Sequence, residues 1–521
     1  MRRLSFHLAL LILLVITTMS FYCNERIGRK SASTQEKGDS QRRAGKQLSD
    51  EDIKIKKQKA KELEQLIDDA RNAPTEVAAD ILFQLIDSGM IPDNDKKREL
   101  LEEVFNVAYL AQNKVKRHDS NDDTDTRSGM LSYGYSLDLD ALSLRCKAVK
   151  RLITIDKPKA RELFKQVVIP ELESLSCEDP MVYDVSVYYD TLKAIVDSMN
   201  AEEESTRREQ LFLVEQAISG ISSPVQLGPI AKIIASLNLP PSELSFLVQR
   251  FSKVLSSLPC DPRSFAWAMR SLGESIKHLA AHCKSKEMMF DDLLNGYRSF
   301  LLGNMTKSWC NDYSDKSQII ARVKKESDFF NSQLSGLVVD GNERLPALQA
   351  EDLLPKGVSK PARIYGYWKT PSTEKFLQGI QKLNYGTDRK RRSVSEREQR
   401  VWQRELTEYY SSLKSWAKDG GMSEADFFHQ KCNLLGFLLE LTPKSNPQYE
   451  SILLDYIAFL SQSSFRQESV IEWLWQARVS LLRMELSKLP SDDILNKYAE
   501  SADGILRLMA KTKLFIAKYK A

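Results

Sequence analysis

The chain has 521 residues, too many for one ordinary hydrophobic core, so two or more domains or one extended helical array are expected. Its 75 basic residues nearly balance 71 acidic residues, and a formal net charge of +4 gives no overall reason to expect a nucleic-acid partner. Only 21 glycines and 18 prolines are present, which favours an all-α fold over one with many tight β-turns.

Residues 1–23 have the pattern of a secretory signal peptide. Arg2 and Arg3 precede a mostly apolar run that extends from Leu4 to Tyr22. The alternative is an uncleaved N-terminal anchor, because this run approaches the ~20 residues that cross a bilayer. We therefore expect an exported protein of the periplasm or cell envelope, which contacts the inner membrane only if this segment is retained.

A flexible linker and a helical array are predicted to follow the leader. Residues 24–47 lack apolar periodicity and are rich in Lys, Arg, Ser and Gln, which is typical of a solvated linker. The helical array is predicted over 48–335. Its first helices are expected near 50–72, 75–87 and 93–113, followed by a polar loop over 115–135.

The stretch 156–199 predicts a helical hairpin, a unit that the rest of the chain repeats with variation. Asp156 with Pro158, and Asp179 with Pro180, each indicate a helix start, because Asp accepts from first-turn N–H groups and proline has no N–H to leave unpaired. Such hairpins cannot bury their apolar faces alone. They favour stacking into an irregular superbundle that resembles α-solenoid or helical-repeat architecture.

The rest of the array contains one pair of histidines at zinc-ligand spacing. Its helices are expected near 203–219, 223–237, 241–257, 262–282, 286–303 and 315–334. His278 and His282 lie at i and i+4 and are followed by Cys283, but the glutamate of a metalloprotease motif is missing. Two ordinary polar positions near a helix end are the favoured interpretation. We expect no metal and no cofactor, and these three residues are the candidates to examine.

Export would permit disulfides among the cysteines that follow the leader. We favour a Cys260–Cys310 pair, because Cys260 precedes the helix that ends at Cys283, and an antiparallel return would bring Cys310 beside it. The alternative is Cys283–Cys310, which requires residues 304–310 to run back along their helix.

Residues 336–371 are predicted to form an extended strap, with a domain boundary, because Pro, Gly and short apolar pieces replace the helical period. Tyr365, Tyr367 and Trp368 either dock this strap onto the surface or form a recognition patch. A C-terminal helical bundle is predicted over 372–521. Its helices are expected near 395–418, 423–441, 446–462, 468–488 and 491–518.

Three segments carry a family resemblance: SEADFFHQKCNLLGFLLELTP, KARELFKQV and MVYDVSVYYDTL. They resemble parts of an uncharacterised family of exported, all-helical bacterial proteins. The resemblance implies no catalytic motif and no site residues.

The sequence favours binding over catalysis. It has no nucleophile elbow, Walker loop, dinucleotide fingerprint or paired Cys-x-x-Cys motif. We therefore expect an exported helical scaffold, without catalytic activity, that binds another envelope protein, because stacked helices form long concave surfaces. The alternatives are a carboxylate-based cell-wall hydrolase and a membrane-tethered structural protein.

Overall fold

The structure is a computed structural model, and it confirms the predicted all-α fold class. It describes residues 50–119, 132, 134–176, 179, 181–199, 203–259, 261–305, 324, 328, 370–390, 396–463, 472–489 and 492–520. These residues form nineteen α-helices, three short 3₁₀ turns and one pair of three-residue strands. The described residues from Gln58 onward belong to one compact unit.

The N-terminal part contains twelve described helices. They are α1 (Asp50–Arg71), α2 (Thr75–Asp87), α3 (Asn94–Val107), α4 (Ala141–Leu152), α5 (Lys157–Phe164), α6 (Ser186–Asp197), α7 (Glu204–Ser219), α8 (Leu227–Ser236), α9 (Pro241–Ser257), α10 (Pro262–Ala268), α11 (Leu272–Ser285) and α12 (Asp291–Met305). The 3₁₀ turns are Ala108–Leu110, Tyr135–Leu137 and Pro224–Gln226.

The C-terminal part contributes the other seven described helices. They are α13 (Pro371–Lys390), α14 (Glu396–Ser415), α15 (Glu424–Leu441), α16 (Gln448–Gln462), α17 (Glu472–Ser487), α18 (Asp492–Ala499) and α19 (Gly504–Lys520). The region 336–371, apart from Thr370 and the start of α13, lies outside the described residues, so the strap and its boundary stay predictions.

Polar N-caps explain where several helices begin. The side chains of Asp93, Asp140, Asp156, Asp261 and Ser423 each accept a hydrogen bond from a first-turn backbone N–H. Asp156 therefore begins a helix, as its sequence predicts.

The predicted helix start at Asp179 is wrong. Met181–Tyr183 form strand β2, which pairs antiparallel with β1 (Arg117–Asp119) in the register Arg117 to Tyr183. The Asp179 carboxylate accepts instead from the Ser176 backbone N–H at 2.8 Å. Helix α6 begins only at Ser186, so pairing with a distant segment replaces the expected first turn.

Two predicted helices are each divided in the structure. The helix expected near 262–282 is interrupted between α10 and α11, where Ser271 precedes the second piece. The helix expected near 491–518 is interrupted between α18 and α19, where the Asp503 carboxylate accepts from the Ile505 N–H at 2.9 Å. Apolar periodicity continues across both breaks and therefore does not show them.

The helices pack around one continuous apolar core. Helix α9 lies against α7 and α12, while α8 lies against α6 and α11. The chain end then returns to the beginning, because α19 packs against α2 and α17 packs against the Tyr135–Leu137 turn. Stacking of these helices into an irregular, solenoid-like superbundle stays a prediction. Among the described helices, none is both long enough and apolar enough to cross a membrane.

Candidate functional site

The two histidines lie in different surroundings. His278 lies on the exposed side of α11, while the Nε2–H of His282 donates to the Leu237 carbonyl, 3.1 Å away, just after α8. Cys283 is buried in the core. Across the described ranges, no group of three or more His, Cys, Asp or Glu side chains is placed to hold a metal ion.

The disulfide and strap candidates are only partly described. Cys283 is a free, buried thiol, as are Cys146 and Cys432. Cys260 and Cys310 lie outside the described residues, so the favoured pairing stays a prediction. The aromatic residues of the strap, Tyr365, Tyr367 and Trp368, also lie outside them.

A half-buried cluster of opposite charges lies between β1, β2 and α4. The Lys116 ammonium is 2.8 Å from the carboxylates of both Asp138 and Asp184, and the Lys147 ammonium is 3.4 Å from Asp138. Burial opposes ionisation of Asp184, but Lys116 outweighs it and lowers the Asp184 pKa below its ordinary value. An acid with a lowered pKa is a poor proton donor, which indicates a structural role for this cluster.

Burial raises the pKa of several other carboxyl groups, yet each is bonded within the fold. Asp140 caps α4, and Asp261 both caps α10 and accepts from the Leu175 N–H at 3.2 Å. Asp80 accepts from Arg483 at 3.2 Å. The full set with raised pKa is Glu76, Asp80, Asp140, Asp261 and Glu485. None of these five lines either groove described below, where a substrate would have to bind.

Two large aromatic side chains are exposed on neighbouring helices. Phe212 of α7 is 55% exposed and Phe246 of α9 is 37% exposed. Each lies in the middle of the solvent-facing side of its helix. Single exposed apolar residues are common, but two phenylalanines on adjacent helices create a local apolar surface.

Two ion pairs place these phenylalanines at the same level. Arg207 Nε lies 3.2 Å from Glu243 Oε1, and an Arg250 guanidinium nitrogen lies 3.3 Å from Glu215 Oε1. The earlier residue of α7 pairs with the earlier residue of α9, and the later residue pairs with the later one. The two helices therefore run parallel. Phe212 lies between the two α7 partners and Phe246 between the two α9 partners.

Arg250 joins the aromatic surface to a polar groove between α9 and α12. Its guanidinium lies 5.4 Å from the centre of the Phe246 ring. The groove has a volume of about 530 Å³. It is lined by Phe246, Gln249, Arg250, Ser252, Lys253, Ser256, Asp292, Asn295, Gly296 and Ser299. We call Phe212, Phe246, Arg250 and this groove the phenylalanine face.

A glycine sets how closely the walls of this groove approach. A Cβ added at Gly296 of α12 would lie 2.6 Å from the Ser252 carbonyl oxygen of α9. The two backbones are therefore in direct contact. An aromatic and arginine centre beside a polar rim is the composition typical of protein-binding surfaces.

A second groove, of about 930 Å³, lies between α1 and the helices α18 and α19. Its walls are joined by ion pairs, since Glu62 lies 2.8 Å from Lys518 and Asp69 lies 3.7 Å from Lys511. These charges already have partners within the chain. The second groove is therefore less suited than the phenylalanine face to a protein partner.

Phe212 and Phe246 are not among the candidate residues that the sequence patterns indicate. A signal was present, because Phe212 lies four residues from both Arg208 and Gln216, on the polar stripe of α7. Phe246 is placed in the same way relative to Ser242 and Arg250. An aromatic residue on a polar stripe indicates exposure rather than burial.

No known protein family matches the sequence, and no curated protein is significantly similar to it. The family resemblance of the three quoted segments therefore stays a prediction.

Proposed function

We propose that the protein is an exported helical scaffold that binds another protein of the cell envelope through the phenylalanine face. The observation that carries the proposal is the exposure of Phe212 and Phe246 at the same level of two parallel helices, with Arg250 against the Phe246 ring. A partner that covers the two exposed phenylalanines removes apolar surface from water. This burial stabilises the complex by ~25 cal/mol for each Å² of apolar surface.

Arg250 gives this surface a positively charged group that is held in one orientation. Its side chain is half exposed and is held by Glu215 and by the Phe246 ring. A positioned guanidinium loses less conformational freedom on binding than a mobile one. Aromatic and arginine side chains contribute most often to the centre of protein interfaces.

The export part of the proposal depends on the leader. Residues 1–23 have the charged and apolar regions of a secretory signal. An exported protein meets its partners in the periplasm or envelope. A membrane-tethered structural protein would differ by retaining this segment, and N-terminal sequencing of the mature chain distinguishes the two.

A carboxylate-based hydrolase receives less support. Such an enzyme needs one protonated acid and one ionised acid facing a common substrate groove. The described carboxyl groups with raised pKa are instead bonded within the fold. Asp140 and Asp261 accept from first-turn N–H groups, and Asp80 accepts from Arg483. Glu76 accepts from the Gln112 N–H, and Glu485 accepts from Lys488. Glu62, which does line a groove, has a pKa below its ordinary value.

Site-specific photo-crosslinking tests the proposal. A photoreactive phenylalanine analogue at position 212 should crosslink one defined envelope protein in cells. The matched control places the same analogue at Met289, an apolar position that is 80% exposed outside the phenylalanine face. The same crosslinks from both positions, or none from position 212 alongside hydrolysis of isolated cell wall, would contradict the proposal.

A further inference from the structure

Part of helix α1 lies on the protein surface with little apolar contact. The buried residues of α1 are Leu66, Ile67 and Ala70, all near its C-terminal end. None of residues 58–65 is buried. We call residues 58–65 the α1 arm. Within the arm, Leu63 is partly buried and packs against the core. Hydrophobic burial therefore fixes the C-terminal end of the helix more firmly than it fixes the arm.

Charged contacts to α19 hold the arm. The Lys518 ammonium lies 2.8 Å and 3.1 Å from the two carboxylate oxygens of Glu62. The Lys59 ammonium lies 5.6 Å from the centre of the Tyr519 ring. Burial acts to raise the pKa of Glu62, but hydrogen bonds from Lys518 and Gln58 outweigh it and leave that pKa lowered.

The groove of about 930 Å³ leaves the arm room to move. Gln58, Lys61, Glu62 and Gln65 line it from the arm, opposite Leu514 and Lys518 of α19. The arm and α19 are therefore separated along one side and joined by the Glu62–Lys518 pair. Exposed ion pairs of this kind are weakened by added salt.

From this geometry we propose that the α1 arm is an electrostatic latch: it docks on α19 at low ionic strength and swings away at high ionic strength, while residues 66–71 stay packed. The bidentate contact between Arg71 and Glu103 of α3, at 2.8 Å and 2.9 Å, anchors the end that stays. Release of the arm would open the groove along α19. This inference is independent of the phenylalanine face.

Hydrogen exchange of the intact protein tests the latch. A released helix segment frays more readily than a docked one. Amide protection in residues 58–65 should therefore fall roughly threefold to fivefold between low salt and about 1 M salt, while protection in residues 66–71 stays constant. Unchanged protection of the arm across this range would overturn the proposal without any substitution.

Charge reversal identifies the pair responsible. Glu62→Lys should reduce protection of the arm in low salt, and the double variant Glu62→Lys/Lys518→Glu should restore it. Glu64→Lys is the matched control. Glu64 lies two residues after Glu62, is exposed, and does not line the groove. Equal effects of Glu62→Lys and Glu64→Lys, or failure of the double variant to restore protection, would also overturn it.

Discussion

Arg483 on α17 donates a hydrogen bond from Nε to the Asp80 carboxylate on α2, at 3.2 Å, across 403 positions of sequence. The Ser480 hydroxyl donates to the Gly134 carbonyl at the same junction. These contacts dock the end of the chain against its beginning. The Asp80 side chain is only 16% exposed, so the junction encloses a charge that needs its partner.

Arg483→Met should destabilise the fold by ~1–3 kcal/mol, because it removes the cation that is hydrogen-bonded to the mostly buried Asp80 carboxylate. The loss should be measured as a lower midpoint of urea unfolding. The double variant Asp80→Asn/Arg483→Met should recover part of it, since no unpaired charge then remains. A double variant that equals the sum of the two single variants would show that the pair does not act as a unit.

Asp140 should make the stability of the fold depend on pH in the mildly acidic range. Burial raises its pKa to about 6, while an unfolded aspartate titrates near ~3.9. The folded chain therefore binds the proton more tightly, and the contribution of Asp140 to stability should rise as pH falls from ~7 towards ~4, by up to ~2–3 kcal/mol.

Asp140→Asn provides the control for this pH effect. The amide oxygen can still accept from the Ser143 N–H, so the cap of α4 is preserved while the titration is removed. Urea unfolding of both proteins is compared at several pH values. The variant should gain most in stability over the wild type at high pH, where the wild type has a buried charge at position 140. A difference that does not vary with pH would rule out the raised pKa.

Gly296→Ala should destabilise the α9–α12 contact by ~1–3 kcal/mol, because its Cβ would meet the Ser252 carbonyl oxygen at 2.6 Å. Gly303→Ala is the matched control on the same helix, since nothing lies within 4 Å of its added Cβ. It should be neutral or stabilising by up to ~1 kcal/mol. Thermal unfolding that ranks the two variants in the opposite order would show that the helices do not approach so closely.

Sequence patterns predict local helices well in this chain. Thr75–Asp87 and Pro241–Ser257 have the bounds that their caps and periodicity indicate. The patterns fail at Met181–Tyr183, where a distant strand partner decides the structure. The phenylalanine face was missed for a related reason. The sequence of α7 alone places Phe212 on the polar side of that helix. Its position beside Phe246, however, depends on how α7 and α9 pack together.

The described cysteines should be chemically inert in the folded protein. Burial raises the pKa of Cys146 to about 12 and that of Cys283 to about 11, and it raises that of Cys432 as well. A maleimide reagent at neutral pH should label these thiols only after unfolding. Peptide mapping of the unreduced, labelled chain also tests the Cys260–Cys310 prediction, which a label on either of those residues after unfolding would refute.

Binding of the crosslinked envelope protein, once purified, tests the central claim most directly. Titration calorimetry should give a measurable affinity for the wild type. The double variant Phe212→Ser/Phe246→Ser should bind at least ~30-fold more weakly, a loss of ~2 kcal/mol in binding free energy. Met289→Ser, which removes a more exposed apolar side chain outside the face, should bind like the wild type. Wild-type affinity in the phenylalanine double variant, with its fold intact by circular dichroism, would contradict the claim that this face binds the partner.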